Sequence, residues 1–221
     1  MATDRLHLAH PVERRPMPQL AFFQGRIAQQ RGQTQAAIFA RHVQDRYDAL
    51  YARRVHFINR RLRWHLEERI LPGLALYQTF LAEGLTKPAA RDAVRDLLAA
   101  FVRDSRQFRL IRLIKRWLPP RLHYPLLRWA VRWQMRLVYP PAGWSLVCVE
   151  DSPRRIAFDV RRCLYLDTLR TRGAAELTGA FCDADDVLFA ELPAAIVWER
   201  AHTLGRGDDR CDFCFRNARR A

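Results

Sequence analysis

A change of hydrophobic period near residue 140 constrains the fold of this chain more than any other feature. Before it, apolar residues recur at spacings of three, four and seven, which indicates amphipathic helices. Pro140, Pro141 and Gly143 then interrupt the chain, and the segments that follow are short and rich in β-branched and aromatic residues. We therefore predict a helical part over 33–140 and a cysteine-rich sheet part over 144–216.

The sheet part is predicted to have the order strand, strand, helix, helix, strand, strand. Its strands are the segments WSLVCVED, RRIAFDVRR, AAIVWERAHTL and RCDFCFRN, with Ser152 and Pro153 turning the first pair and the run GRGDD turning the second. The two helices are predicted at 164–172 and 176–192. The predicted fold class is α+β, with an N-terminal helical layer followed by a mainly antiparallel four-stranded sheet with two inserted helices (β-β-α-α-β-β).

The helical part is predicted to contain a helix over 33–71, a kink at Pro72 and Gly73, a short buried helix that ends near Gly84, a helix over 88–117 and a basic, aromatic helix over 125–138. We expect a single α+β domain over 21–221. Residues 1–20 contain three prolines and no sustained apolar period, so we expect a flexible tail there.

The net charge of +15 lies in the helical part. Residues 1–150 carry 26 Lys or Arg against 11 Asp or Glu, whereas 151–221 carry 12 of each. A positive field can attract nucleic acid, anionic lipid or an anionic small molecule, although arginine on a solvated surface needs no partner. We expect no nucleic-acid partner; peripheral membrane contact through the basic helices and a homo-oligomer are left open.

The helix over 125–138 alternates tryptophan with arginine, at Trp129 and Trp133 and at Arg128, Arg132 and Arg136. A helix at a membrane surface has this composition. A tryptophan face within a helical bundle more often packs in the core, and we favour that interpretation.

Export and membrane insertion have no signal in the sequence. No run of about 18 uncharged apolar residues is present, and the N-terminus lacks the apolar segment and cleavage site of a secretory signal. Five cysteines, an odd number, favour reduced thiols over a disulfide framework. We therefore expect a cytoplasmic protein.

Four of the five cysteines lie between residues 158 and 215, at Cys163, Cys182, Cys211 and Cys214. Cys211 and Cys214 have the spacing of a zinc knuckle. In a regular strand, however, residues three apart point to opposite faces, so Cys211 shares a face with Phe213, and Cys214 does not. This argues against a knuckle and favours a site assembled from distant parts of the chain.

Cys182 and Asp185 are three residues apart, which places them on one side of a helix. A thiol beside a carboxylate can be a pair of metal ligands, or a nucleophile with a proton acceptor if a cation lies nearby. Arg200 and His202, on the predicted third strand, can supply that cation. Cysteines also pack well in apolar cores, so inert thiols remain the alternative.

Several phrases of the chain, in order, resemble the L-2-amino-thiazoline-4-carboxylic acid hydrolase family: ILPGLALYQTFLAEGL, YPPAGWSLVCVE, IAFDVRRCLYLDTL, GAAELTGAFCDADD and WERAHTLGRGDDRCDFCF. The resemblance covers about 35–216. It implies a hydrolase that opens the five-membered ring of a small cyclic amidine-like substrate by cleaving a non-peptide C–N bond. More distantly, the sheet part resembles small-molecule-binding domains of the vinyl-reductase type, in which spaced cysteines can hold zinc.

The family pattern matches this chain at Cys163, Glu176, Cys182, Asp185, Arg200, Thr203, Gly207, Cys211, Asp212 and Phe213. It departs at Cys214, where the family phrase CDFRF has a basic residue, so any anion contact through that residue is in doubt. The resemblance implies catalytic roles for Cys182, Asp185, Cys211 and Asp212. It implies substrate binding by Arg200, Glu176 and Thr203, and we predict the same role for His202 from its place beside Arg200.

Within these roles, Cys182 is predicted to be the nucleophile or a metal ligand, and Asp185 a proton shuttle. Arg200 is predicted to hold a substrate carboxylate. A zinc ion on Cys163, Cys182 and Cys211 is left open, and no other cofactor is expected. The alternative function is a non-catalytic protein that binds or senses a small molecule in the same pocket, with or without a structural zinc.

Overall fold

The computed structural model describes residues 15–220. Seven α-helices precede the sheet: α1 (Leu20–Arg31), α2 (Gln33–Ala52), α3 (Arg60–His65), α4 (Leu71–Ala82), α5 (Lys87–Asp104), α6 (Arg106–Trp117) and α7 (Pro120–Leu137). The sheet part follows as β1 (Trp144–Asp151), β2 (Arg155–Cys163), α8 (Leu164–Thr171), α9 (Thr178–Phe189), β3 (Ile196–Glu199) and β4 (Cys211–Asn217). A π-helical segment, Leu66–Ile70, joins α3 to α4, and 3-10 turns lie at Ala175–Leu177 and Leu204–Arg206.

The predicted fold class is confirmed. The four strands form one sheet in the order β1-β2-β4-β3, and every neighbouring pair is antiparallel. The two helices α8 and α9 are inserted between β2 and β3, as predicted. None of the described helices is long and apolar enough to cross a membrane.

The predicted helix over 33–71 is wrong as one continuous element. It is broken at 53–59, where His56 lies outside any helix, and it restarts at Asn59, whose side chain accepts hydrogen bonds from the backbone of Arg61 and Leu62. The chain is also not interrupted at Pro72, because helical structure continues through this residue. Pro72 lies in the first turn of α4, directly after the π-helical segment, where its missing N–H is tolerated.

Three further boundaries differ from the prediction. The helix predicted over 88–117 is two helices that meet at Ser105, whose hydroxyl accepts from the backbone of Phe108 and caps α6. Helix α7 begins five residues earlier than predicted, at Pro120. Strand β3 ends at Glu199, so Arg200 and His202 lie in the connection after it.

The predicted flexible tail falls mostly on residues 1–14, which lie outside the described residues. Its last part is packed against the helical layer, because Met17 is only 3% exposed and Arg15 forms ion pairs with Glu67 and Glu68.

The core interpretation of the α7 tryptophans is also wrong, because both Trp129 and Trp133 are exposed.

Helix α4 is the centre of the core and is buried along most of its length. Its Gly73 lies against the ring of Phe181 in α9, so closely that an added Cβ would lie 2.5 Å from the end of that ring. The absence of a side chain at Gly73 therefore sets how closely α9 approaches the helical layer.

This contact predicts that Gly73→Ala lowers the free energy of unfolding by about 1–3 kcal/mol, because the added methyl group displaces a packed ring. Gly25→Ala in α1 is the matched control, since nothing lies within 4 Å of the Cβ that it would add. That variant is expected to gain up to about 1 kcal/mol from helix propensity. Urea unfolding of both variants measures the difference, and a Gly73→Ala protein as stable as the control would contradict the packing.

Candidate functional site

A cavity of about 130 Å³ lies between α7, α9 and one face of the sheet. Its walls are mainly apolar, and eight aromatic side chains contribute to them. The apolar and aromatic residues that line it are Val131, Met135, Tyr139, Trp144, Leu146, Phe158, Val160, Tyr165, Phe181, Phe189, Phe213 and Phe215.

The cavity brings together five of the predicted site residues, Cys163, Cys182, Asp185, Arg200 and Cys211. Local geometry explains why they meet. Alternation along β4 places Cys211, Phe213 and Phe215 on the cavity side, as the sequence predicts. Helical spacing along α9 places Thr178, Cys182 and Asp185 on the side that faces the sheet.

The thiols of Cys182 and Cys211 are hydrogen-bonded to each other. The hydrogen bond from Cys182 lowers the pKa of Cys211, and the backbone N–H of Leu204, 3.3 Å from the Cys211 sulfur, and the positive charge of Arg200 act in the same direction. The same hydrogen bond, with burial, raises the pKa of Cys182. Cys211 is therefore the more acidic thiol of the pair, and Cys182 is the partner that can donate to it.

Glycines bring the backbone close to this thiol pair. A Cβ added at Gly205 would lie 2.9 Å from the Cys182 sulfur and 3.1 Å from the backbone nitrogen of Gly179. The turn Leu204–Arg206 thus packs directly against the backbone of α9. The third cysteine of the cavity differs from the pair, because burial raises the pKa of Cys163 to about 11 and keeps it a neutral thiol.

Arg200 is the buried cation of the site, with a side chain only 2% exposed. Its Nη2 donates to the carboxylate of Asp186 at 2.6 Å and to the backbone carbonyl of Cys182 at 2.9 Å. Its Nη1 lies 3.7 Å from a carboxylate oxygen of Asp185 and has no hydrogen-bond partner among residues 15–220. The hydroxyl of Thr178 is also buried, and it too has no hydrogen-bond partner among residues 15–220.

These two groups are the unsatisfied polar atoms of the cavity wall. Buried polar groups are rarely left without a partner, and one that lines a cavity is available to a ligand. The Nη1 of Arg200 can donate to a carboxylate, and the hydroxyl of Thr178 can donate or accept.

Asp185 is the titratable carboxyl group of the cavity. The side chain is 44% accessible, yet it lies in a mainly apolar wall. Burial raises the pKa of Asp185 to about 7, although the charge of Arg200 acts to lower it. The group can therefore hold or release a proton near neutral pH.

The other four predicted site residues do not line the cavity. Glu176 accepts a hydrogen bond from Tyr77 at 2.6 Å and lies 3.5 Å from Lys87, so it ties the Ala175–Leu177 turn to the helical layer. Thr203 is buried, and its backbone N–H donates to Asp208.

Asp212 and His202 form a pair on the other face of β4. The Asp212 carboxylate accepts from the backbone of Ala201 and His202 and lies 3.0 Å from the His202 ring, which raises the pKa of His202. These contacts hold the backbone between Arg200 and Cys211 in place, so Asp212 helps to position these two cavity residues without lining the cavity.

Sequence reasoning missed four polar residues of the cavity, Gln134, Thr178, Tyr139 and Tyr165. Thr178 precedes Cys182 by one helical turn, so helical spacing alone was a signal for it. Tyr139 and Tyr165 are adjacent to the ends of α7 and β2, and no pattern in their surroundings marks them.

A zinc ion does not fit the three cysteines. Among residues 15–220, no group of three or more His, Cys, Asp or Glu side chains is arranged to hold a metal ion. Structural zinc needs four converging ligands, and Cys163, Cys182 and Cys211 are not arranged as part of such a set.

Among solved structures, the chain is similar to the Fe(II) unliganded H-NOX protein from K. algicida. The match has 13% identity and a TM-score of 0.38, and it covers 90% of this chain and 94% of that one. A mutant of the same H-NOX protein matches with 13% identity and a TM-score of 0.36, over 91% of this chain and 96% of that one.

No curated protein sequence matches the chain at a significant level. A family model does match, and it spans residues 63–215, which include all five cavity residues that the sequence predicts. By this match, the chain belongs to the L-2-amino-thiazoline-4-carboxylic acid hydrolase family.

Proposed function

We propose that the protein hydrolyses the amidine-type carbon of a small cyclic substrate that carries a carboxylate. Family membership supports a hydrolase, and L-2-amino-thiazoline-4-carboxylate is the substrate that the family name suggests. The observation that carries the proposal is that Cys211, whose pKa is lowered, shares one cavity with the Nη1 of Arg200, which has no hydrogen-bond partner among residues 15–220.

The size of the cavity supports a substrate with one small ring. An apolar cavity of roughly 150 Å³ holds a benzene-sized molecule, and this cavity has about 130 Å³. Its aromatic walls would contact the ring, while its few polar groups would fix the orientation.

The charges of the cavity fit a zwitterionic ligand. Arg200 and Asp185 lie 3.7 Å apart in its wall. A substrate carboxylate would accept hydrogen bonds from Nη1 of Arg200 and the hydroxyl of Thr178, and an amidinium group would pair with ionised Asp185. This arrangement would place the amidine carbon in the part of the cavity that holds the thiol pair.

The reaction is proposed to proceed through a covalent adduct. The Cys211 thiolate forms a bond to the amidine carbon, and the electrons of the C=N bond move to nitrogen. As the adduct collapses, ionised Asp185 takes a proton from its exocyclic nitrogen and delivers it to the ring nitrogen, whose bond to carbon breaks. Water then attacks the same carbon and Cys211 leaves as the thiolate. One proton of the water goes to the imine nitrogen, and Asp185 passes the other to the product amine, so one water is consumed and the enzyme is regenerated with Asp185 ionised.

Binding without turnover is the second candidate function. The apolar walls of the cavity favour it, because few groups besides those named can stabilise a charged transition state. A binding protein would retain its affinity when Cys211 is replaced, and it would release the ligand unchanged.

For the hydrolase, Cys211→Ser is expected to lower turnover of L-2-amino-thiazoline-4-carboxylate by about 10³-fold or more, because the thiolate that forms the adduct is lost. Cys182→Ala removes only the hydrogen bond to that thiolate and is expected to cost about 10–100-fold. Both the free amine and the free thiol are assayed, since the ring can open at nitrogen or at sulfur.

Cys214→Ser is the matched control, because Cys214 contacts Glu199 outside the cavity. It should retain full turnover. A Cys182→Ala protein that is inactive beside an active Cys211→Ser protein would reverse the assigned roles and contradict the proposal.

The raised pKa of Asp185 predicts a pH dependence. Because the ionised carboxylate binds the amidinium group and accepts the proton of water, kcat/KM is expected to rise as the pH rises through about 7. Asp185→Asn should lower the rate and remove this acidic limb. A limb that persists unchanged in the variant would assign the titration to another group.

The raised pKa of Asp185 also predicts that the stability of the folded protein decreases as the pH rises, whereas kcat/KM increases. A carboxyl group whose pKa is higher in the folded protein than in the unfolded chain makes folding less favourable as the pH rises from about 4 to about 7. Asp185→Asn should therefore gain stability relative to the parent at pH 8 and lose that advantage at pH 4. Thermal unfolding at the two pH values tests this without any substrate.

A further inference from the structure

We propose that α6 and α7 dock this protein on the surface of an anionic lipid bilayer. The two helices contribute 30 residues, and only Phe108, His123, Tyr124 and Val131 are buried. Most of their outer surface is therefore available to a partner.

The exposed half of each helix carries an apolar stripe. On α6 the stripe is Leu110, Leu113 and Trp117, and on α7 it is Leu122, Leu126, Trp129, Trp133 and Leu137. The spacings of three and four place each set on one side of its helix. The three tryptophans are 73%, 63% and 49% exposed, respectively, which is unusual for the largest apolar side chain.

A basic stripe runs beside each apolar stripe, because each of its arginines directly precedes an apolar residue of that stripe in the sequence. It consists of Arg109, Arg112 and Arg116 on α6 and of Arg121, Arg128, Arg132 and Arg136 on α7. Because one residue advances a helix by about 100°, the basic stripe lies directly beside the apolar one. We call the two stripes of both helices together the basic–aromatic face.

No acidic residue occurs between Ser105 and Val149 to neutralise this face. Partners from elsewhere neutralise part of it, because Glu191 lies 3.5 Å from Arg112 and Lys115, and Asp151 pairs with Arg128 and Arg132. Within residues 15–220, five arginines in α6 and α7 have no acidic partner: Arg106, Arg109, Arg116, Arg121 and Arg136.

This combination fits a bilayer surface. Tryptophan and leucine enter the boundary between headgroups and acyl chains, tryptophan is favoured at that depth, and arginine beside them pairs with lipid phosphate. A second copy fits less well, because a two-fold interface would bring this face against itself and oppose like charges. A nucleic acid fits less well too, because the five leucines of the apolar stripes offer neither charge nor a ring that stacks on bases.

The test is sedimentation of the full chain with vesicles of phosphatidylcholine alone or mixed with an equal part of phosphatidylglycerol. Binding is expected to be at least about tenfold tighter on the anionic vesicles and to weaken about tenfold or more between roughly 0.1 and 0.5 M salt. Lipids that carry a quencher at the headgroup boundary should reduce tryptophan fluorescence, because half of the six tryptophans lie on the face.

Two double variants test the two stripes separately. Trp129→Ser with Trp133→Ser, and Arg121→Gln with Arg136→Gln, are each expected to weaken vesicle binding about tenfold or more. All four positions are on the exposed half of α7, so circular dichroism should show an unchanged fold. The control is Arg26→Gln with Arg41→Gln, which removes the same charge from exposed positions on α1 and α2 and should bind like the parent.

Equal binding to neutral and anionic vesicles would overturn the proposal. So would a loss of binding in the Arg26→Gln, Arg41→Gln control as large as the loss in the α7 double variants. Self-association that the tryptophan double variant abolishes, without vesicle binding, would assign the face to a second copy instead. None of these readouts involves turnover, so the outcome is independent of the proposed reaction.

Discussion

The close approach of α9 to its neighbours is the constraint on which the site depends. On one side, Gly73 of α4 allows the ring of Phe181 to lie against the helix backbone. On the other, the turn containing Gly205 packs against the backbone at Gly179. Because no side chain separates these elements, the position of α9 between the helical layer and the sheet is set by backbone contact, and Cys182 is held beside Cys211.

The electrostatics of the cavity follow from this packing. Arg200 is buried and contacts the carboxylates of Asp186 and Asp185, and its positive charge helps to lower the pKa of Cys211 in the nearby thiol pair. In surroundings of low polarity, each of these charges influences the others more strongly than it would in water. The two carboxylates differ in their contacts: Asp186 is hydrogen-bonded to Arg200 and Trp198, whereas Asp185 has the raised pKa on which the proposed proton transfer depends.

Periodicity in the sequence predicted the parts of the site that lie on regular elements. Alternation in the last strand identified Cys211, and helical spacing identified Cys182 and Asp185 as neighbours. Glu176, His202 and Thr203 do not line the cavity, and their positions depend on where a turn ends or a strand stops, which periodicity does not specify. Periodicity also misassigned the α7 tryptophans, because a helical pattern shows which residues share a side but not whether another element covers that side.

Helix α7 contributes to two environments at once. Its inner side supplies Val131, Gln134 and Met135 to the cavity wall, and its outer side carries Trp129 and Trp133. The wall there is one helix thick, roughly 10 Å. Indole emission depends on the surroundings of the ring, so any movement of α7 that accompanies filling of the cavity would be detected in the fluorescence of the outer tryptophans.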